Sequence, residues 1–274
     1  MEIRRSAPST EAAPKTYEGV ALSTSVLTEV SGDVTTITIN RPETLNALNQ
    51  STFRAIGEAV AEAAANSRAL ILTGNDRAFS SGADLRGEAG SSEDIELDQA
   101  NAIIRSIIEA PIPAIAAVSG PAAGIGCSLA LACDYVVMSE DSYLMLPFTK
   151  IGLMPDGGAT ALVAASAGRH RAMRMALTAE KLQAADALDW GLASEVVASG
   201  EHLDRAGALA AAFAQGAPQA LATTKQAINR SSLTSLDEAF GREVRGQAGL
   251  RATEDFAEGV AAFVGKRAPV FTGQ

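Results

Sequence analysis

The sequence predicts an α/β fold whose parallel sheet is followed by a helical C-terminal region, and three observations support this prediction. Two stretches that alternate apolar and polar residues flank Ser31–Asp33, as in a β-hairpin. Apolar runs then recur at 69–74, 113–120 and 134–139, each after a segment with helical periodicity. Such alternation indicates parallel strands joined by crossover helices. From Ala159 onward the pattern is nearly all helical.

The predicted elements follow one another in the order that such a sheet requires. After the hairpin, apolar residues at helical spacing predict a helix over 51–65 with Asn49 or Ser51 as its N-cap. The run Ala69–Gly74 is the first predicted buried strand. A second helix precedes the strand at 113–120, because four isoleucines fall on one helical face: Ile103, Ile104, Ile107 and Ile108.

Composition and charge limit the classes of function. A chain of 274 residues with 47% hydrophobic residues is long enough to bury a substantial core. The net charge of −10 argues against a nucleic acid or an anionic membrane as partner, because both require basic surface. The longest apolar runs are too short and too interrupted for a bilayer-spanning helix.

The first residues differ in composition from the rest of the chain. Residues 1–19 are rich in Pro, Ala, Ser and Thr, and we expect them to form a flexible extension. They carry Pro, Ser and Glu where a signal peptide needs an apolar stretch, so a cytoplasmic location is expected. We predict an α/β core over 20–200 and a helical region over 201–274.

The two cysteines give no sign of a metal or redox site. Cys127 and Cys133 lie six residues apart in one apolar segment, a spacing that matches neither a zinc site nor a redox pair. We expect both to be reduced core residues. No metal site is predicted.

Two loops rich in glycine and small residues follow the first two predicted buried strands, at Gly74–Leu85 and Ser119–Leu131. In parallel α/β sheets ligands lie beyond the carboxyl ends of strands, and helix N-termini present unpaired N–H groups to negative charge. Two such loops can direct two donors at one oxygen, as in an oxyanion hole. The alternative of a dinucleotide fingerprint at Gly124–Gly126 is disfavoured, because the third glycine and the acidic residue are missing.

Five ordered segments resemble the enoyl-CoA hydratase/isomerase, or crotonase, family: Asn40–Asn49, Ala78–Leu85, Ser119–Ser142, Ile151–Thr160 and Gly259–Phe271. The resemblance implies a crotonase-like core of ββα spiral turns over 20–200 and a helical region over 201–274 that takes part in trimerisation. It also implies a homotrimer or a dimer of trimers that binds an acyl-CoA thioester, with coenzyme A as part of the substrate and no separate cofactor.

The same resemblance implies roles for individual residues. The backbone N–H groups of Ala83 and Ile125 match those that hold the thioester carbonyl, and the small residues before Ala83 would let that oxygen approach. Asp84 is expected to be structural. The remaining matches concern coenzyme A: Ala47 and Leu48 along the pantetheine, Arg86 near the phosphates, and Phe263 and Lys266 at the nucleotide end, commonly across a subunit boundary.

The acid–base residues depart from the family pattern. Hydratases of the family use two glutamates, and Ser128 and Phe148 occupy the matching positions; neither can replace a carboxylate. Asp156 remains, in a motif that resembles the branch of 1,2-epoxyphenylacetyl-CoA isomerases. Pro-Asp-Gly is also an ordinary turn sequence, but apolar neighbours would raise the pKa of Asp156 and suit it to proton transfer.

Three hypotheses follow. The first is a double-bond isomerase in which Asp156 moves a proton of an unsaturated acyl-CoA. The second is a hydratase with a nonstandard base, or with Ser128 positioning the water. The third is a non-catalytic acyl-CoA binding protein. A dehalogenase is disfavoured, because it would need a histidine base in the first loop, whereas His170 and His202 are expected on helix surfaces in the C-terminal part.

Overall fold

The computed structural model describes residues 25–86 and 95–274, and the predicted extension 1–19 lies outside them. Within these ranges, six strands form a main sheet in the order β1-β2-β3-β4-β6-β9. Strands β1 and β2 are antiparallel and the other neighbours are parallel. The strands of this sheet are β1 (Val26–Ser31), β2 (Val34–Ile39), β3 (Ala69–Thr73), β4 (Ala114–Val118), β6 (Tyr135–Ser139) and β9 (Glu195–Val197).

A smaller sheet has the order β5-β7-β8 and consists of β5 (Pro121–Ala123), β7 (Tyr143–Met145) and β8 (Leu182–Gln183). The sequence did not predict these strands, nor β9, because segments of two or three residues are too short to show a period of two. The expectation that the chain is nearly all helical after residue 159 is therefore wrong at β8 and β9.

Ten helices surround the two sheets in the described part of the chain. They are α1 (Gln50–Asn66), α2 (Leu97–Glu109), α3 (Ile125–Leu131), α4 (Ala159–Ala167), α5 (Arg169–Thr178), α6 (Ala184–Asp189), α7 (His202–Ala214), α8 (Pro218–Ser232), α9 (Leu236–Arg251) and α10 (Glu254–Val264). The side chain of Asn49 accepts a hydrogen bond from the backbone of Thr52, so Asn49 is the N-cap of α1. None of these helices is long and apolar enough to cross a membrane.

The apolar strands predicted from the sequence are buried on both faces. In β3, Leu70 and Leu72 belong to the main core, whereas Ala69 and Ile71 pack in a second cluster with Ala206 and other residues of α7. A strand that is covered on both faces needs no polar residue, which explains the unbroken apolar run. Helix α7 thus completes a layer over the sheet.

The last two helices pack on other helices of the chain. Helix α9 contacts α2 and α4, and α10 contacts the 3₁₀ helix Pro147–Ile151. The structure corrects one expectation in this region. His170 is exposed, but His202, at the first position of α7, is buried and only 4% exposed. Burial lowers the pKa of His202, which favours the neutral imidazole there.

Candidate active site

The segment at Ala83 runs beside Leu48 as a short parallel bridge. The backbone N–H of Leu48 donates to the Gly82 carbonyl at 2.8 Å, and the N–H of Asp84 donates to the Leu48 carbonyl at 2.8 Å. Because peptide groups alternate in direction along an extended chain, the N–H of Ala83 points away from Leu48. Gly82, the residue before Ala83, meets the second loop at Ala123.

The second loop approaches so closely that the first needs a glycine. Gly82 has a φ of +97°, and a Cβ at this position would lie 2.9 Å from the Ala123 carbonyl oxygen. Gly124 then forms the N-cap of α3, which makes Ile125 the first residue of that helix. First-turn N–H groups have no acceptor within their own helix. In the part of the chain that the structure describes, the N–H groups of Ala83 and Ile125 have no hydrogen-bond acceptor.

The turn that carries Asp156 is attached to the same short helix. The hydroxyl of Ser128, one turn after Ile125, donates to the Asp156 carbonyl at 2.8 Å. The turn continues through Gly157, where φ is +66° and a Cβ would lie 2.9 Å from the Cβ of Ser128 and from Cδ1 of Ile104. The contact attaches the turn of Asp156 to α3 one helical turn after Ile125.

The two carboxyl oxygens of Asp156 have different surroundings. Oδ2 accepts a hydrogen bond from Nε2 of Gln247 at 2.9 Å, whereas Oδ1 is buried without a partner among the described residues. Burial and, after it, the nearby Glu243 carboxylate raise the pKa of Asp156 to about 7, against the opposing effects of Arg251 and Gln247. A carboxyl with this pKa can both take and return a proton near neutral pH.

Glu243 and Gln247, both on α9, are functional candidates that the sequence analysis missed. Glu243 is fully buried and accepts hydrogen bonds from the backbone of Gly158 at 2.7 Å and from the backbone and hydroxyl of Thr160 at 3.0 and 2.5 Å. A signal was present, because these two polar residues continue the buried stripe that begins with Leu236, Ala239 and Phe240. Polar residues at core positions of a helix need a partner, and here the partner is the turn at Asp156.

Ser128 and Phe148, which the resemblance matches to the glutamates of hydratases, are both buried. Ser128 is fully buried and its hydroxyl already donates to a carbonyl. Phe148 is 7% exposed, and its ring tip lies 3.9 Å from the position that a Cβ on Gly124 would occupy. An apolar ring therefore borders the loop that carries Ile125.

The residues matched to the pantetheine and the phosphates surround one ion-paired aspartate. Ala47 and Leu48 are buried. Asp84 accepts hydrogen bonds from the guanidinium groups of both Arg86 and Arg41, and Arg41 also donates to the Ala47 carbonyl at 2.6 Å. The hydrogen bond from Arg86 is the main reason that the pKa of Asp84 falls to about 2. Asp84 therefore has a structural role, and the exposed Arg86 is held three residues from Ala83.

The residues matched to the nucleotide end lie at the end of α10. Gly259 packs directly on Ile151, since a Cβ would lie 2.6 Å from that residue's backbone. One turn later, Phe263 is 59% exposed and lines a groove of about 480 Å³ with Arg267 and residues of the 3₁₀ helix. Lys266 adopts a left-handed conformation, with φ +50°, just after the helix ends. Phe263 thus lines a groove formed within one chain, and the contacts of Phe263 and Lys266 with a nucleotide stay a prediction.

Comparison with known proteins identifies the family. The family model for enoyl-CoA hydratase/isomerase matches residues 29–274. The chain belongs to the enoyl-CoA hydratase/isomerase family. This confirms the resemblance found in the sequence.

Relatives within the family carry both hydratase and isomerase names. A probable enoyl-CoA hydratase of Rhodobacter capsulatus is 39% identical over 90% of this chain and 97% of its own length. The 1,2-epoxyphenylacetyl-CoA isomerase of Escherichia coli is 36% identical over 91% of this chain and 98% of its own length. Membership therefore shows an acyl-CoA enzyme of the hydratase/isomerase type, without deciding between the two reactions.

A solved structure of the same family confirms the fold. The crystal structure of an enoyl-CoA hydratase from Mycobacterium avium subsp. paratuberculosis is 44% identical, covers 90% of this chain and 98% of the other, and superposes with a TM-score of 0.84. The predicted crotonase-like α/β fold with C-terminal helices is thus confirmed.

Proposed function

We propose that this family member is a double-bond isomerase of an unsaturated acyl-CoA, with Asp156 as the proton-transferring residue. The observation that supports the proposal is the buried, unpartnered Oδ1 of a carboxyl whose pKa is raised to about 7. It lies on a turn attached to the helix whose first N–H is free. A base of this kind and an oxyanion donor are the two groups that an enolate mechanism needs.

The proposed reaction moves one proton and no other atom. Oδ1 of Asp156 removes an α or γ proton from the substrate, and the electrons of that C–H bond shift through the conjugated system onto the thioester oxygen. The N–H groups of Ala83 and Ile125 hold the resulting dienolate oxygen. The protonated Asp156 then returns the proton to the other carbon, which moves the double bond. A single oxyanion donor contributes about 3 kcal/mol and proton transfer about 10²–10⁴-fold, so both are needed.

Binding of coenzyme A is proposed to use the residues matched above: Ala47, Leu48, Arg86, Phe263 and Lys266. We also propose a homotrimer or dimer of trimers in the cytoplasm. The exposed apolar side chains Leu177, Phe263 and Val264 are consistent with a contact between subunits.

Hydration is the second candidate, favoured by the hydratase name of the Rhodobacter capsulatus relative. In that reaction a nonstandard base would activate the water, or Ser128 would position it. The Ser128 hydroxyl already donates its hydrogen to the Asp156 carbonyl, and Phe148 has no group that exchanges protons. Two carboxylates that hold and activate one water are therefore missing from the positions that supply them in hydratases.

The test compares wild type with Asp156→Asn on a panel of acyl-CoA thioesters. Asparagine keeps the shape but cannot accept the proton, so conversion of a 3-enoyl-CoA to its 2-enoyl isomer should fall roughly 10²-fold or more. Solvent deuterium exchange at the α-carbon should fall with it. Mass spectrometry separates the reactions, since hydration changes the mass and isomerisation does not.

Asp186→Asn, at an exposed position of α6, is the matched control and should keep wild-type turnover. Rapid hydration of crotonyl-CoA that persists in Asp156→Asn would contradict the isomerase and support the hydratase. Tight binding by the wild type without turnover or exchange would instead identify an acyl-CoA binding protein.

A further inference from the structure

Helix α9 contacts the turn of Asp156 on both sides. Nε2 of Gln247 donates to the Met154 carbonyl at 2.6 Å and to Oδ2 of Asp156 at 2.9 Å. One helical turn earlier, Glu243 accepts hydrogen bonds from Gly158 and Thr160. Residues four apart lie on the same helical face. A single face of α9 therefore fixes the chain immediately before and immediately after Asp156.

The orientation of the Gln247 amide is determined by its contacts. An amide NH₂ group has two hydrogens, and the two acceptors use both. A flipped amide would place its oxygen against the Met154 carbonyl, which has no hydrogen to donate. The Met154 contact therefore ensures that Asp156 always faces the donor end of Gln247.

A glycine lets α9 come this close. At Gly246, next to Gln247, a Cβ would lie only 2.2 Å from Sδ of Met154. Glycine inside a helix is about 1 kcal/mol less favourable than alanine. Gly246 thus permits the close approach of α9 to the 154–158 turn, although alanine at this position would give a more stable helix.

We propose that Gln247 is a positioning residue for proton transfer: by holding Oδ2 of Asp156, it leaves Oδ1 as the oxygen that exchanges the proton with the substrate. This inference rests on the proposed function. Oδ2 accepts the amide hydrogen, so a proton taken up by the carboxyl resides on Oδ1 and remains available to the dienolate. The same oxygen then both removes and returns the proton.

The charged groups around Asp156 determine what loss of the amide does to its titration. Glu243 raises the pKa of Asp156, whereas Arg251 and the hydrogen bond from Gln247 lower it. Loss of that hydrogen bond leaves the ionised form less stabilised. The pH at which the base becomes active should therefore rise when Gln247 loses its donor.

The first test is Gln247→Met, which keeps the length of the side chain and removes the donor. Because misplacement of a catalytic group costs roughly 10–10²-fold, kcat for 3-enoyl-CoA isomerisation should fall by that factor while KM changes little. The midpoint of the rising limb of the pH–rate profile should move to higher pH. Gln226→Met, at an exposed position of α8, is the matched control and should keep wild-type kcat and midpoint.

A double-mutant cycle with Asp156→Asn separates positioning from a purely structural effect. If Gln247 acts through the Asp156 carboxyl, Gln247→Met should not reduce the residual activity of Asp156→Asn further. An equal fold loss in both backgrounds would overturn the inference. The inference would also be overturned if Gln247→Met kept the wild-type kcat and the wild-type midpoint of the pH–rate profile while Asp156→Asn was inactive. That result would leave the proposed function intact. Full activity of Asp156→Asn would instead contradict the proposed function.

Gln247→Glu provides a second variant if Gln247→Met does not fold. A second carboxyl within hydrogen-bonding distance disfavours ionisation of Asp156. The midpoint of the rising limb of the pH–rate profile should therefore move to higher pH in Gln247→Glu. An unchanged midpoint in folded Gln247→Glu would overturn the inference.

Discussion

Two buried polar centres attach the C-terminal helices to the rest of the molecule, and they differ in how completely they are paired. Lys225 of α8 is 8% exposed, and its ammonium donates to the carbonyls of Ile107 at 2.9 Å and Ile112 at 3.1 Å and to Oδ2 of Asp134 at 2.8 Å. Three hydrogens thus have three acceptors. Asp134 also accepts from the backbone of Ala114 at 2.8 Å.

The centre at Asp156 is incompletely paired. One of its oxygens has no partner among the described residues, and the charged neighbour with the largest effect on its titration is another carboxylate, Glu243. An unpaired buried polar group costs about 1–3 kcal/mol. The two centres therefore differ in role. The paired centre at Lys225 stabilises the fold, whereas the incompletely paired centre at Asp156 keeps a proton acceptor available.

The largest effect on stability is expected from Lys225→Met. Removing one partner of a buried ion pair leaves the other uncompensated, which costs about 3–5 kcal/mol. The lower end applies, because the Asp134 side chain keeps 25% of its surface exposed. Chemical denaturation should therefore show a loss of about 3 kcal/mol, whereas turnover per folded molecule should match wild type.

Lys181→Met is the matched control, since Lys181 is exposed and lies over the ring of Tyr143. It should cost at most about 1 kcal/mol. Lys225→Met combined with Asp134→Asn should recover part of the loss, because no unpaired charge then remains. A loss below about 1 kcal/mol in Lys225→Met alone would contradict the stabilising role of this centre.

The next effect is a pH dependence of stability that belongs to Asp156. The folded-state pKa of about 7 lies above the unfolded value of about 3.9, so the native protein retains a proton that the unfolded chain releases. Unfolding therefore becomes more favourable as pH rises from about 4 to about 7, and the effect is complete above that range. Asp156→Asn lacks this term, so its stability relative to wild type should increase by roughly 2.5 kcal/mol between pH 5 and pH 8.

Denaturant midpoints of both proteins at pH 5 and pH 8 measure this effect. The difference between wild type and Asp156→Asn should be larger at pH 8. Asp186→Asn should follow wild type at both values. The opposite result would contradict this prediction: if the stability of wild type relative to Asp156→Asn increased with pH, the aspartate would be ionised and well paired in the folded state.

The same comparison explains what the sequence could predict. The order of β1, β2, β3, β4 and β6 with the helices between them, the two loops at Ala83 and Ile125, and the candidate acid Asp156 follow from local periodicity and from motifs within short segments. The pairings across the molecule do not. Glu243 and Gln247 contact the turn only because α9 folds back on it, and single-sequence patterns carry no information about such contacts. His202 was misassigned for a similar reason, because its burial depends on how α7 packs on the sheet.

The smallest expected effect tests the role of Glu243 as the neighbour that raises the pKa of Asp156. Burial raises the pKa of Glu243, and three hydrogen bonds, from the Gly158 backbone and from the backbone and hydroxyl of Thr160, oppose this shift by stabilising its ionised form. Glu243→Gln removes the negative charge, so the rising limb of the pH–rate profile should move to lower pH. The glutamine also leaves one backbone N–H without an acceptor, which should cost about 1 kcal/mol of stability.

Glu238→Gln, on the same helix but exposed and paired with Arg242, is the control for this substitution and should leave the pH midpoint unchanged. The direction of the shift is the decisive measurement, because general damage to the site lowers the rate at every pH without moving the midpoint. A looser turn that lets water reach Asp156 would also lower the midpoint, because it reduces the desolvation of the carboxyl. In that case solvent exchange at the site should rise as well, which distinguishes the two causes. A midpoint that moves to higher pH in Glu243→Gln would mean that Glu243 acts on Asp156 through the position of the turn rather than through its charge.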